Sequence, residues 1–279
     1  MIYSIVVTYN SQRLPEGLCK TLAAHSHIIV VDNSTDETIR QLLSEWTKKL
    51  GYNFIDMHGN AGIATAQNVG LDLAKKRNAL GVVFFDQDSL VDDVALTALT
   101  DSIRKDATTV YALTPGTHST LSGVKTPRFA IRELMSSGSG CQMSVFNTVG
   151  LFESSLFIDC VDFEWGWRCR QRGVSLAGLR AGVFLHTLGN SSVNVFGMHA
   201  HLDSPIRGYY QFRNITAMMC RGYVPIVWKV AQGLRSAGKL LILIVFASNR
   251  LHRLVLVARG VRDGINGTLG KLVESRNTK

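Results

Sequence analysis

The chain has 279 residues, of which 46% are hydrophobic, and a formal net charge of +9. This composition excludes disordered and fibrous proteins, and the length allows one large α/β domain or a domain with a helical appendage. The five cysteines are scattered and form no C-x-x-C pair, so the sequence predicts neither a disulfide framework nor a zinc site. No apolar run approaches the roughly 18 residues that span a bilayer, and the start of the chain is typical of a strand rather than of a signal peptide.

The first half of the chain alternates strand and helix patterns. Apolar strands are predicted at residues 2–8, 28–31, 53–57, 81–85 and 109–113, and helices at residues 14–24, 37–50, 64–76 and 92–104. Residues 115–140 are rich in Gly, Ser, Thr and Pro and are predicted to be a loop at the sheet edge. A helix at residues 162–173 and strands at 174–177 and 182–185 follow. This alternation predicts a mainly parallel sheet with helices on both faces.

The last part of the chain is predicted to be helical and is strongly basic. Helical patterns cover residues 206–220, 226–247 and 250–261, and from Arg207 onward 13 Lys and Arg face two acidic residues, a net charge of +11. Basic and apolar residues interleave at helical spacing, which favours a surface that lies on anionic lipid. The alternative is a basic helical subdomain that packs on the core. Nucleic acid is not an expected partner, because no recognised reading motif accompanies the charge.

Two carboxylates, Asp86 and Asp88, follow the apolar strand predicted at residues 81–85. Residues i and i+2 of an extended segment point the same way, so both can face one hard cation such as Mg²⁺ or Mn²⁺ that is shared with substrate phosphates. Open α/β sheets bind ligands at the carboxyl ends of their strands. Because aspartate is also common in turns and caps, this pattern alone leaves an ordinary turn as the alternative.

Polar and small residues follow two other predicted strands. Asp32 is placed to accept a hydrogen bond from a nucleobase or ribose, or to serve as a turn residue. In the segment 59–71, small residues at the start of a helix let a ligand approach backbone N–H groups. This segment is neither the phosphate-loop nor the G-x-G-x-x-G fingerprint, so the nucleotide folds defined by those motifs are not predicted.

Five motifs in this order and spacing resemble an inverting family 2 glycosyltransferase of the GT-A fold over about the first 190 residues. They are T-Y-N (8–10), V-V-D-N-S-T-D (30–36), G-N-x-G-x-A-x-A-x-N-x-G (59–70), F-F-D-Q-D (84–88) and D-F-E-W-x-x-R-x-x-x-x-G (162–173). The segments S-S-G-S-G (136–140), I-D-C-V-D-F-E-W (158–165), Y-Y-Q-F-R-N (209–214) and R-D-G-I-N-G (262–267) resemble its bacterial rhamnosyltransferase branch. The resemblance implies a Rossmann-like nucleotide-sugar-binding catalytic domain at residues 1–205, followed by a basic amphipathic helical region at 206–279 that associates with a membrane.

The resemblance also implies roles for individual residues. Asp32 and Asp86 bind the nucleotide, and Asp88 with His186 ligates Mg²⁺ or Mn²⁺. Asp162 matches the catalytic base, with Asp159 and Glu164 as substitutes. Further nucleotide-sugar contacts are Thr8, Asn10, Asn60, Gly62, Asn68, Gln87 and Arg168, and the acceptor or diphosphate contacts are Ser137, Gly138, Trp165, Tyr210 and Arg213.

The residue patterns alone leave structural roles open for several of these side chains. Asp162 can equally be the N-cap of a surface helix on which Glu164 and Arg168 form an i,i+4 ion pair. A lone histidine such as His186 is usually structural, and tryptophans such as Trp165 are more often core residues than sugar platforms.

The resemblance implies transfer of L-rhamnose from dTDP-L-rhamnose to a hydroxyl of a polyprenyl-diphosphate-linked glycan in bacterial O-antigen or related polysaccharide synthesis. The enzyme is expected to be peripheral on the cytoplasmic face of the inner membrane, and its oligomeric state is not predicted. One alternative keeps the fold but uses another donor, a UDP-hexose or galactofuranose. The other is a catalytically dead nucleotide-sugar-binding relative, which would predict damaged acidic positions, whereas Asp32, Asp86, Asp88, Asp162 and Glu164 are all intact.

Overall fold

The structure, a computed structural model, describes residues 1–118, 128–185, 192–195, 198–201, 204–247 and 249–273. The strands in chain order are β1 (Ile2–Thr8), β2 (His27–Asp32), β3 (Asn53–Asp56), β4 (Gly81–Asp86), β5 (Leu90–Val91), β6 (Thr109–Leu113), β7 (Gly116–His118), β8 (Arg128–Ala130), β9 (Ser139–Gln142), β10 (Ser175–Leu179), β11 (Gly182–Leu185), β12 (Ser192–Val195) and β13 (Met198–His201). The helices are α1 (Glu16–His25), α2 (Glu37–Lys49), α3 (Ile63–Lys76), α4 (Asp93–Lys105), α5 (Met143–Val149), α6 (Val161–Gln171), α7 (Pro205–Met219), α8 (Ile226–Phe246) and α9 (Arg250–Ile265).

An eight-stranded sheet with the order β3-β2-β1-β4-β9-β6-β10-β8 forms the centre of the molecule. The pairs β1–β2, β1–β4, β2–β3 and β6–β10 are parallel, whereas β9 and β8 pair antiparallel with their neighbours. Two small antiparallel sheets, β5-β11-β7 and β12-β13, accompany it. The predicted α/β fold with a mainly parallel sheet and C-terminal helices is therefore confirmed.

Apolar side chains on both faces of the sheet build two hydrophobic clusters. Ile5 and Phe84 belong to the cluster that includes residues of α3, α5 and α6, while Val6 and Phe85 belong to the cluster that includes residues of α1 and α4. A strand that is buried on both faces needs apolar residues at every position, which explains the unbroken runs in β1, β2 and β4. Helices α2 and α4 begin where Asp36 and Asp92 accept backbone N–H bonds as N-caps.

The predicted loop at residues 115–140 is wrong in part, because β7, β8 and the start of β9 lie within it. Strand β9 inserts between β4 and β6, where a Cβ atom on Gly140 would lie 2.3 Å from the carbonyl oxygen of Val82. The close approach of the two backbones requires glycine here, so the strand lacks the apolar run by which strands are recognised. Helix α5 is also absent from the predicted elements, and α9 ends at Ile265 rather than at residue 261.

The C-terminal helices form a small cluster of their own around Phe212, Leu243 and Val257. Helix α7 also contacts the segment that precedes α6, where the ring of Tyr210 stacks on Phe157. The division of the chain at residue 205 stays a prediction. Among the described residues, no helix combines the length and the apolar character that crossing a bilayer requires.

Candidate active site

A cavity of about 580 Å³ opens at the carboxyl ends of β1 and β4. Its lining includes six residues that the motifs predicted, namely Thr8, Asn60, Gly62, Asp86, Gln87 and Tyr210. The start of α3, the segment at residues 157–158 and the start of α7 complete the walls. A cavity of this volume at this edge of an α/β sheet is the expected size and place for a nucleotide-sized ligand.

Asp32 lies at the end of β2, next to Asn33 and bonded to Thr8, and both of these residues line the cavity. It is fully buried, and its Oδ1 accepts hydrogen bonds from Thr8 Oγ1 at 2.8 Å and Ser34 Oγ at 2.6 Å. Its Oδ2 is buried without a hydrogen-bond partner in the described part of the chain. An unpaired buried acceptor costs about 1–3 kcal/mol, so this oxygen is suited to accept a hydrogen bond from a bound ligand.

The two carboxylates of the D-Q-D motif differ in their position relative to this cavity. Asp86 is half-buried and lines it, whereas Asp88 is exposed. Gln87 forms two hydrogen bonds with the backbone of Tyr9, to its N–H at 2.7 Å and from its own amide to the carbonyl at 3.3 Å. Gln87 therefore joins the end of β4 to the end of β1. These bonds fix the backbone from which the two carboxylate side chains project.

Ser137 and Gly138, in the turn that precedes β9, support the D-Q-D motif. Ser137 Oγ accepts a hydrogen bond from the Asp86 N–H at 3.2 Å and lies 2.7 Å from Ser89 Oγ. Gly138 has a φ of +74°, and a Cβ atom there would lie 2.6 Å from the ring of Phe184. Through these contacts Ser137 and Gly138 support the end of β4. The role predicted for both residues was contact with the acceptor or the diphosphate.

The predicted extended geometry of the D-Q-D motif is wrong, because β4 ends at Asp86 and the next two residues lie in a turn closed by the Ser89 N–H on the carbonyl of Asp86 at 3.1 Å. Asp86 and Asp88 still supply the carboxylate oxygens that a hard divalent cation prefers. The described residues contain no group of three His, Cys, Asp or Glu side chains that could hold a metal ion by themselves. Substrate phosphates commonly complete the coordination of Mg²⁺ at sites with one or two carboxylates. The predicted second ligand, His186, lies outside the described residues.

Asp162 stands in the first turn of α6 and is held by two backbone N–H groups. Ser136 donates to its Oδ2 at 3.2 Å and Phe163 donates to its Oδ1 at 3.0 Å. Burial, and to a lesser extent the negative charge of Asp86, raises the pKa of Asp162 to about 6. A carboxyl group that titrates near neutrality is suited to act as a general base.

Gln67 supports Asp162 through Ser136, and the motifs did not single it out. Its Nε2 donates to Ser136 Oγ at 3.1 Å, and its Oε1 is buried without a partner among the described residues. The position falls at a variable place in the G-N-x-G motif, so only the fold reveals the contact.

The two substitute bases are engaged in ion pairs. Glu164 is 1% exposed and binds Arg168 through both oxygens, at 2.6 and 2.8 Å, while accepting a hydrogen bond from Tyr223 at 2.7 Å. Asp159 pairs with Arg207, which lines the cavity and was not predicted, at 3.1 Å. The geometry favours Asp162 over both alternatives.

Four predicted contacts are used elsewhere in the fold. Arg168 donates to the carbonyls of residues 149 and 151, and Trp165 is buried with its indole N–H on the carbonyl of residue 150. Asn68 exchanges two hydrogen bonds with the backbone of residue 152. Asn10 has a φ of 51° and donates its N–H to Ser34 Oγ, so its backbone shapes the loop beside Asp32.

Arg213 also differs from its predicted role. It is 1% exposed, lies over the ring of Tyr210 at 4.8 Å, and donates to the carbonyls of Leu156 and Gly270. Because these donors are used by backbone carbonyls, Arg213 acts as a strut rather than as a diphosphate contact. Tyr210 does line the cavity, and its hydroxyl accepts the N–H of Leu272 at 2.7 Å.

The segment that precedes α6 is held in an unusual backbone conformation. Phe157, Asp159 and Cys160 have φ values of 66°, 62° and 63°. The side-chain amide of Asn214 on α7 lies within hydrogen-bond distance of the carbonyls of residues 156, 158 and 159, at 2.9, 2.6 and 2.9 Å. Left-handed non-glycine residues persist only where the surroundings hold them. Asn214 was quoted in a motif but not selected, since nothing local marks a contact across 55 or more positions.

Comparisons with known proteins agree with this architecture. Residues 4–153 match the model of the family described as glycosyl transferase family 2. The dTDP-rhamnosyl transferase RfbF of Shigella flexneri is 28% identical over 96% of this chain and 97% of its own length.

Two solved structures show the same fold at low sequence identity. S. aureus TarS 1-349 in complex with UDP-GlcNAc has a TM-score of 0.58 and 18% identity, over 95% of this chain and 80% of that one. GalNAc-T7 with UDP, GalNAc and Mn²⁺ has a TM-score of 0.56 and 15% identity, over 78% of this chain, which spans 47% of that one. The family match covers more than half of the sequence, and so the chain belongs to glycosyl transferase family 2, with the GT-A fold that its motifs predicted.

Proposed function

We propose that this protein transfers L-rhamnose from dTDP-L-rhamnose to a hydroxyl group of a lipid-linked glycan, with inversion at the anomeric carbon. The observation that carries the proposal is a cavity lined by Asp86 and by Thr8, which bonds the buried Asp32, together with the carboxyl of Asp162, whose pKa burial and the charge of Asp86 raise to about 6. The similarity to RfbF over nearly the full length of both chains supports the donor.

The chain's own residues account for binding and proton transfer. Asp32 Oδ2 accepts a hydrogen bond from the base or ribose, while Thr8 and Asn60 line the nucleotide's cavity. Asp162 removes the proton of the acceptor hydroxyl, whose oxygen attacks the anomeric carbon on the face opposite the leaving nucleotide diphosphate. Asp88 and Asp86 would hold Mg²⁺ or Mn²⁺, whose charge stabilises the leaving diphosphate when bound.

The acceptor and the site of action complete the proposal. A polyprenyl-diphosphate-linked glycan is negatively charged, and so is the cytoplasmic surface of a bacterial inner membrane. The net charge of +11 from residue 207 onward complements both. We therefore place the enzyme at that surface, as a peripheral protein that contributes to O-antigen or related polysaccharide synthesis.

A second donor class is favoured by one observation. The fold of this chain is similar to that of TarS in complex with UDP-GlcNAc, and a UDP-hexose or UDP-galactofuranose would need the same nucleotide contacts. The catalytically dead alternative has less support, because the carboxylates at positions 32, 86, 88 and 162 are intact, Asp86 lines the cavity, and the charge of Asp86 acts on Asp162.

Metal removal tests the chemistry of the D-Q-D motif. We expect EDTA or Asp88→Ala to lower the rate of rhamnosyl transfer by about 100-fold or more, since the charge of the leaving diphosphate is then not neutralised. The matched control is Asp72→Ala, which removes an exposed carboxylate paired only with Lys76 on the surface of α3. Full transfer in metal-free buffer would contradict the metal assignment.

A further inference from the structure

Helix α8 turns its apolar side outward. Of its 21 residues, only Trp228 and Leu243 are buried. Its most exposed apolar residues recur every three or four positions, so they lie on one arc of about 100°. This set, which we call the apolar face, consists of Ile226, Val227, Val230, Leu234, Ala237, Leu241, Ile244 and Val245.

The exposure of this face is large. Leu234 is 71% exposed and Leu241 is 65% exposed, and the arc contains no charged residue. It runs the length of a helix that measures about 30 Å. A surface helix of a globular protein normally directs such a stripe at the core. The apolar face therefore requires an apolar binding partner, which the described residues of this chain do not supply.

The polar residues of α8 point away from this face. Lys229 Nζ donates to the carbonyl oxygen of Arg221 at 2.8 Å, and Lys239 Nζ donates to Gln211 Oε1. Both lysines thus contact the protein, while the leucines of the apolar face contact solvent. An amphipathic helix on a domain surface usually directs its apolar side at the core and its polar side at solvent, and α8 has the opposite orientation.

Basic residues flank the apolar face, and acidic residues of the described part of the chain do not. Arg235 is exposed about 80° of rotation beyond the edge of the face, where it also lines a cavity with Lys239. Arg250 is exposed at the start of α9, next to Leu251, which is 74% exposed. Asp263 is the one acidic residue within the described part of 204–273, and it is 7% exposed and bonded to Tyr209. A dimer formed through this face would bring positively charged residues of the two copies close together, whereas an anionic bilayer would neutralise their charge.

We propose that α8 lies in the plane of an anionic bilayer, with the apolar face among the acyl chains and Arg235 and Arg250 at the headgroups. This assignment deepens the proposed function, because it names the surface that brings the cleft to a lipid-linked acceptor. A large apolar stripe bordered by basic residues is the pattern of interfacial helices, and their binding grows with buried apolar area and with anionic lipid.

Co-sedimentation with lipid vesicles tests this surface. The full chain is expected to sediment with vesicles of phosphatidylcholine mixed with phosphatidylglycerol, and much less with phosphatidylcholine alone. The double substitution Leu234→Glu and Leu241→Glu should lower partitioning into the anionic vesicles by roughly tenfold or more, because two apolar contacts are lost and two negative charges are added. Arg235→Gln should lower binding to the anionic vesicles by about fivefold.

The matched control places the same chemistry on another helix. Leu42→Glu combined with Leu50→Glu changes two leucines on α2 and at its end that are 43% and 48% exposed, and it should leave partitioning unchanged. The far-UV circular dichroism spectrum and the thermal unfolding midpoint, measured on the same preparations, should be the same in both double variants and in the wild type. An unchanged spectrum and midpoint show that the variants fold.

Two results would overturn the proposal. One is equal sedimentation of the α8 double variant and the wild type. The other is a stable dimer of the wild type in solution that the α8 substitutions convert to a monomer, which would assign the face to a second copy. Neither donor nor acceptor enters the vesicle measurement, so failure of the rhamnosyl assignment would leave its outcome unchanged.

Discussion

Asp162 lies in an environment that differs strongly from that of an ordinary, solvent-exposed aspartate. Burial disfavours its ionised form, and the charge of Asp86 adds to the effect, so its pKa rises from 3.8 to about 6. A pKa of about 6 still lies below pH 7, so most of the group is ionised there, and the raised pKa makes it a stronger proton acceptor than an ordinary carboxylate. It loses that ability on acidification earlier than an ordinary carboxyl group does.

The pH dependence of turnover checks this assignment. We expect kcat/KM, which reports the free enzyme, to be level above about pH 7, half its maximum near pH 6 and lower by about tenfold per pH unit below about pH 5, as Asp162 becomes protonated. Asp162→Asn should lower kcat by about 10²- to 10⁴-fold while calorimetry shows unchanged donor binding. Asp101→Asn, at an exposed position of α4, is the control. A fully active Asp162→Asn enzyme would transfer the role of base to Asp159.

Glu164 provides a contrasting prediction, because its contacts are those of a structural residue. Glu164→Gln leaves Arg168 and Arg221 without their buried partner and should lower the free energy of unfolding by about 3 kcal/mol. Chemical denaturation measures this loss, and Glu45→Gln on the exposed side of α2 should change it by less than about 0.5 kcal/mol. Unchanged stability with lost turnover would instead make Glu164 a catalytic residue.

At the scale of elements, α7 shapes the segment that leads into α6. Asn214 and Arg213 both donate to backbone carbonyls of residues 155–159, and the left-handed residues of that segment stand directly before Asp162. Phe157 and Ile158 of the same segment line the cavity. Helix α7 therefore positions both the cavity wall and the segment that leads to Asp162, the proposed base.

Asn214→Ala tests this coupling. We expect kcat/KM to fall about tenfold or more, because the carbonyls of the segment lose their donor and relax. The pKa read from the pH–rate profile should also shift, since the burial of Asp162 depends on the segment, and a residue that contributes only stability would leave it at about 6. Asn266→Ala, at the exposed C-cap of α9, is the control. An unchanged profile and rate would contradict the positioning role.

The elements also show where sequence patterns fail. Strands β1, β2 and β4 were predicted because double-sided burial leaves an unbroken apolar run. Strand β9 is equally central, but Gly140 must accommodate the backbone of β4, so its sequence is typical of a loop. The requirement that hides β9 is a contact between segments about 60 residues apart, which no local pattern reports.

At the scale of the whole molecule, the same distinction separates the site residues whose position follows from the sequence from those whose position does not. Thr8 and Asp86 end parallel strands, so their common edge follows from the topology. Trp165, Arg168 and Arg213 were selected by motif, yet a motif gives residue identity and not the direction of a side chain, and all three are bonded within the protein. Arg207 and Asn214 reach the segment before α6 only through folding.

The proposal thus assigns to one chain a nucleotide cleft, a base at the start of α6 and an outward apolar face on α8. The similarity to RfbF supports dTDP-L-rhamnose as the proposed donor, and UDP sugars are the competing class. The choice of donor is the point on which the proposed function depends most.

The most direct test is a transfer assay with purified full-length protein, a synthetic polyprenyl-diphosphate-linked glycan and a panel of dTDP and UDP sugars, with products resolved by mass spectrometry and NMR. We predict that dTDP-L-rhamnose gives a product one rhamnose heavier, with inverted anomeric configuration, and that the UDP sugars give none. Transfer from a UDP-hexose or UDP-galactofuranose in its place, or a retained anomeric configuration, would contradict the account.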